Sequence, residues 1–168
     1  MLKKGVQMVF WQRGLDALAQ IATALASVMI VALRLIFGWL VYGRYILNAT
    51  PTWVEQAALL MVVWITFLGA AVGVRRGTHL SVDFIRNAAP APLRRLAILF
   101  CSLALLFFGA MLAWQGYVMY ERTARRAIPL LGISEGWRAI PVVIGGGMIC
   151  LFALDELIRR PFTKEEDA

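Results

Sequence analysis

Apolar residues run along this chain in four long blocks, roughly 15–42, 53–74, 96–119 and 138–158, and polar residues collect between and beyond them. The blocks show no strict alternation and are nearly continuous. A bilayer core about 30 Å thick takes about 20 helical residues to cross. Each block reaches that length, which predicts an all-α integral membrane protein of four transmembrane helices forming a single domain over 1–168. Loop residues are too few for a soluble domain.

Local signals refine the helix ends. The first block carries Arg34 inside it, where a charge at membrane depth is costly and rare. Two readings stand for Arg34: snorkelling towards headgroups, or pairing with an acid on a neighbouring helix or a partner subunit. Thr52-Trp53-Val54-Glu55 fits a capping box at the start of the second helix, and Thr50 before Pro51 offers an alternative start. Glu55 also lies close enough in sequence to Arg44 for an ion pair. Gly69, Gly73 and Gly77 repeat every four residues, a face that allows close helix approach within the bundle or against another subunit. Towards the end of this repeat, 75–85 reads as a short amphipathic interfacial helix between helices two and three, with His79 and Asp83 on one face. Pro90-Ala91-Pro92 breaks the chain before helix three. Helix four carries Pro141, placed either in the first turn or at a kink, and then Gly145, Gly146 and Gly147, which permit close packing or bending.

Composition sharpens the class. The chain has 168 residues, 61% hydrophobic and 16% charged, against roughly 45–50% apolar and 25% charged for a soluble domain. The net charge of +7 sits at helix ends, so it orients membrane helices and does not point to nucleic acid. Eleven Lys and Arg fall on the side of both termini and of the 75–95 connection, and five on the other. Positive residues favour the cytoplasm, which predicts cytoplasmic termini. The opposite side is still basic, through Arg122, Arg125, Arg126 and Arg138, which suggests a docking surface for an acidic partner or for lipid headgroups. The basic start followed by an apolar run resembles a signal peptide, but the run is far too long; an uncleaved first helix is expected.

Catalytic and cofactor chemistry is thin. Cys101 and Cys150 lie inside apolar blocks and read as inert thiols. One His cannot supply two-histidine haem ligation, and His79 with Asp83 does not make a zinc site. No phosphate loop or nucleophile elbow appears, and the acids Asp16, Glu55, Asp155 and Glu156 lie near block ends. No enzyme activity, metal or cofactor is expected. An accessory membrane subunit is the best reading.

The sequence resembles the small membrane subunit (DctQ type) of tripartite ATP-independent periplasmic transporters. The resemblance rests on Arg44-Tyr45-Ile46-Leu47-Asn48, Trp53-Val54-Glu55, Trp64, Phe67-Leu68-Gly69-Ala70-Ala71, Arg75, His79, Asp83 and Pro141, in that order. Gln56 departs from it, standing where the family often has a second acid. The resemblance implies a bacterial or archaeal inner-membrane complex importing an organic acid such as a dicarboxylate or sialic acid. It implies as partners a large permease subunit of about twelve spans, which would carry the sodium and substrate sites, and a soluble periplasmic binding protein. The alternative is a membrane anchor for a respiratory or redox complex. A self-sufficient small exporter working as a dimer would need a midplane acid, which the sequence lacks.

Overall fold

A computed structural model describes residues 2–48, 52–76, 91–128 and 131–159. Four helices carry the fold: α1 (Leu2–Tyr45), α2 (Trp53–Arg76), α3 (Ala91–Thr123) and α4 (Ile140–Arg159). All four contain stretches long and apolar enough to span a membrane. The helices of the first and third blocks run longer than their apolar cores, and α3 takes Pro92 into its first turn, where a missing N–H breaks no helical bond. The fourth begins later than the apolar pattern suggests: Glu135–Arg138 forms a separate 3-10 turn. Of the interfacial helix expected over 75–85, Arg75 and Arg76 end α2, and the rest, with Gly77, His79 and Asp83, lies outside the described residues.

The helices pack as an open row, α1 against α2, α2 against α4, and α4 against α3. Small residues set the order. On α1, Leu15, Ala19, Ala22 and Ala26 form one buried line, and they cluster with Leu68, Ala71 and Val72 of α2 and Phe152 of α4. On α4, the glycines face two neighbours at once. A Cβ on Gly145 would meet Phe67 Cβ of α2 at 2.9 Å, and one on Gly146 would meet the Ala113 backbone nitrogen of α3 at 2.6 Å. Consecutive helical positions point about 100° apart, so adjacent glycines let two helices close in on α4 from different sides. In lipid, such close packing replaces the hydrophobic drive between helices. The reciprocal positions on α3 are Gly109 and Gly116, whose added Cβ atoms would come within 3.0 Å of the α4 backbone at Cys150 and Val143. With buried Ser102, these make a seven-residue repeat facing α4.

Two turns close the row. After α1, the Ile46 amide bonds to Tyr42 O and Asn48 takes a left-handed φ of 49°, which asparagine tolerates well. Between α3 and α4 the chain forms a small hairpin. The Ile128 amide bonds to Ile133 O and the Glu135 amide to Arg126 O, each at 2.7 Å, and Gly132 supplies the positive φ of 66°. Ser134 fixes its base, donating to Ala124 O at 2.7 Å and accepting from the Gly136 amide at 3.1 Å. Pro141 is buried in the first turn of α4. There its missing N–H breaks no helical bond, so the kink is not needed.

Candidate functional site

Charged side chains gather in a layer at each end of the row. At one end Arg75, in the last turn of α2, spans three helices. Its Nε and Nη2 donate to Asp16 Oδ1 of α1 at 3.0 and 2.6 Å, and its Nη1 donates to Asp155 Oδ2 of α4 at 2.5 Å. The guanidinium lies 5.8 Å from the Phe152 ring centroid, within cation–π range. The two acids differ. The Asp155 side chain is 4% exposed and the Asp16 side chain 58%. The planar guanidinium serves both acids through separate N–H groups held in a fixed fork. Arg76 adds a long contact from Nη2 to the Thr23 hydroxyl, 3.4 Å. Arg75 enters the sequence reading as a motif residue with no assigned partner, and its acids lie 59 and 80 positions away. The nearness of Asp16 and Asp155 to block ends was the available signal.

At the other end Arg138 ties the 3-10 turn to α2 by donating from Nη2 to Gln56 Oε1 at 2.5 Å. Glu135 stands at 3.9 Å from Nη1. The Arg138 Nε–H is buried without a hydrogen-bond partner among the described residues. Gln56, the departure from the family pattern, therefore takes the arginine that a carboxylate there would attract. This removes Arg138 from the free docking charges, whereas Arg122, Arg125 and Arg126 are exposed around the hairpin.

The other singled-out residues scatter. Trp64 borders an apolar groove of about 360 Å³ between α1 and α2, roofed by Leu131, Ile133 and Trp137. Trp53 opens α2 and is exposed, as are Arg44 and Tyr45 at the end of α1. Glu55 is exposed in the first turn of α2, where a carboxylate suits the helix dipole. Neither the capping-box hydrogen bonds nor the Arg44–Glu55 ion pair forms among the described residues. Arg34 is exposed and meets no acceptor among them. Gly73 is half-buried. Gly69 and Gly147 have nothing within 4 Å of an added Cβ, so these two do not pack within the row. Sequence reasoning missed Gly109 and Gly116, although their spacing with Ser102 was visible.

Residues 33–162 match the family described as tripartite ATP-independent periplasmic transporters, DctQ component. The sialic acid TRAP transporter small permease protein SiaQ of Vibrio cholerae is 25% identical over 129 residues, 77% of this chain and 75% of that protein. The C4-dicarboxylate TRAP transporter small permease protein DctQ of Vibrio cholerae is 36% identical over 81 residues, 45% of this chain but only 35% of that protein. The sialic acid TRAP transporter permease protein SiaT of Haemophilus influenzae is 29% identical over 113 residues, 64% of this chain and 18% of that much longer protein. None of these relatives is an enzyme or a redox anchor.

Proposed function

This chain belongs to the DctQ family of TRAP transporter small permease subunits, and from that membership we propose that it is a scaffold for the stationary part of a large permease subunit. The observation that carries this reading is the open row. Its edge helices, α1 and α3, are largely uncovered, with 6% and 17% of an apolar 18-residue stretch of each buried, while Arg75 and Arg138 are committed to bracing the row itself. Such a slab is stiff across its width and presents broad faces to a second membrane protein. The match to part of the longer SiaT permease supports the same partnership, since one polypeptide there holds a segment like this one.

The complex sits in a bacterial inner membrane, with the Arg75 layer at the cytoplasmic face and the 126–135 hairpin outside. Sodium coupling and substrate binding belong to the large subunit, and this chain holds no cofactor or metal. The substrate is an organic acid of the dicarboxylate or sialic acid type, the classes named for its relatives. Arg122, Arg125 and Arg126 help dock the periplasmic binding protein; charges at an interface rim act mainly on the association rate.

Reconstitution tests this. The chain alone in liposomes gives no sodium-driven organic-acid uptake; with a large permease and a binding protein it does. Uptake by the chain alone overturns the scaffold reading. Arg125→Glu with Arg126→Glu slows uptake at limiting binding protein and spares it at saturation. Unchanged, salt-independent uptake at limiting binding protein assigns these arginines to lipid headgroups.

A further inference from the structure

The membrane span of α1 has three faces. Leu15, Ala19, Ala22 and Ala26 form the buried one. Ile21, Val28, Leu35 and Trp39 form a second, apolar and strongly exposed, from 53% to 70%. The third holds Asp16, Gln20, Thr23, Ser27 and Arg34. At about 100° per residue these five fall within about 60° of arc, and all but Thr23 are exposed. Lipid suits the second face. It suits the third badly, because hydrocarbon offers nothing to a polar group.

The third face also keeps unused bonding capacity. Thr23 and Ser27 donate their hydroxyls to Ala19 O and Thr23 O, as such residues do inside helices, and Thr23 also meets Arg76 Nη2 of α2 at 3.4 Å. Gln20 and Arg34 meet no partner among the described residues, and Asp16 uses Oδ1 alone for Arg75. Arg34 lies about 27 Å along the helix from Asp16 and about 16 Å short of Tyr45, at 1.5 Å per residue. Its nearer membrane face is thus at the Tyr45 end. Helical side chains lean towards the N-terminus, which here points Arg34 away from that face and deeper into the bilayer. Snorkelling runs against the geometry, and a charge that stays at depth pairs with a protein group.

We infer that the Asp16–Gln20–Thr23–Ser27–Arg34 flank of α1 is the contact surface for the large subunit, and that the partner helix presents a carboxylate to Arg34. This rests on the proposed partnership with a large permease. The apolar Ile21–Val28–Leu35–Trp39 face stays in lipid.

Neighbouring positions provide the test. A photo-crosslinking benzoylphenylalanine is placed at Ser27 or at Val28 in the chain co-expressed with its large subunit. The two positions share a depth and differ in face. Ser27 should give several-fold more cross-link to the large subunit than Val28. In parallel, Arg34→Leu should lower the large subunit retained on purification by about tenfold, the loss of one charge-assisted hydrogen bond. Arg34→Lys should recover part of it, and Leu35→Ala none of the loss should appear. The isolated Arg34→Leu chain should melt as the parent does, since Arg34 braces nothing among the described residues. Cross-links from Ser27 to lipid or to a second copy, or stronger cross-links from Val28, overturn the inference while intact co-purification keeps the proposed function. Undiminished retention with Arg34→Leu overturns the carboxylate partner. A parent chain that retains no large subunit overturns both.

Discussion

Helices α1 and α4 are both long enough to cross a bilayer, yet 44% of an apolar 18-residue stretch of the α4 span is buried, against 6% of such a stretch of α1. The difference is one of side-chain size. Gly145 and Gly146 remove the Cβ atoms that would hold α2 and α3 away, so α4 is enclosed from two sides. α1 offers alanines on one line only and gains one neighbour. A helix complete within its own chain is recognised by small residues on two faces. A helix awaiting a partner keeps polar groups without a partner among the described residues, such as Gln20 and Arg34 on α1. Arg75 joins the two, bonding to a buried acid on α4 and an exposed one on α1.

That arginine gives the strongest way to break the comparison. Asp155→Ala leaves a mostly buried guanidinium with only the solvated Asp16, and loss of one partner from a buried pair costs about 3–5 kcal/mol, an upper bound here. Asp16→Ala removes a solvated partner and should cost about 1 kcal/mol or less. Unfolding of the two variants in detergent micelles measures both, and equal costs would erase the distinction between the helices. Next in size is Gly146→Ala. Its new methyl would press on backbone atoms of α3, and overpacking of this kind costs about 1–3 kcal/mol. Gly38→Ala on α1 meets open space and should stay within about 0.5 kcal/mol. Thermal melting of the pair sharpens the contrast at matched chemistry. Ser134→Ala, which frees the Ala124 carbonyl and the Gly136 amide at the hairpin base, should cost about 1 kcal/mol. Faster hydrogen exchange across 126–135 reports it. The smallest effect belongs to Val28→Ala on the lipid face of α1, within about 0.5 kcal/mol by the same melting assay.

The spans were legible because hydrocarbon imposes a length and a composition on any helix that crosses it. The family was legible through ordered motifs, and the structure gives some of them physical roles: Asn48 turns the chain, Arg75 ties three helices, and Pro141 starts α4. The row was not legible. Which helix lies beside which depends on contacts between positions far apart, and hydropathy carries no such pairing. Glycine spacing misled for the same reason. Gly69 lies in a four-residue repeat but has nothing within 4 Å of an added Cβ, whereas Gly109 and Gly116 lie against α4. A repeat shows that close approach is possible on a face, and the fold decides whether a neighbour uses it. The Arg44–Glu55 pair is near in sequence but does not form, since Arg44 and Glu55 both end up exposed at the tips of their helices.

The central claim is that α4 is finished within this chain and α1 is finished by the large subunit. The direct measurement is photolabelling by a lipid-borne carbene probe, comparing the chain alone with the chain in its complex, read residue by residue. The account predicts that labelling of α1 at Gln20, Ser27 and Arg34 falls several-fold in the complex, while Val28, Leu35 and all of α4 keep their labelling. Equal labelling of α1 in the two states, or protection centred on Val28 and Leu35, would contradict it.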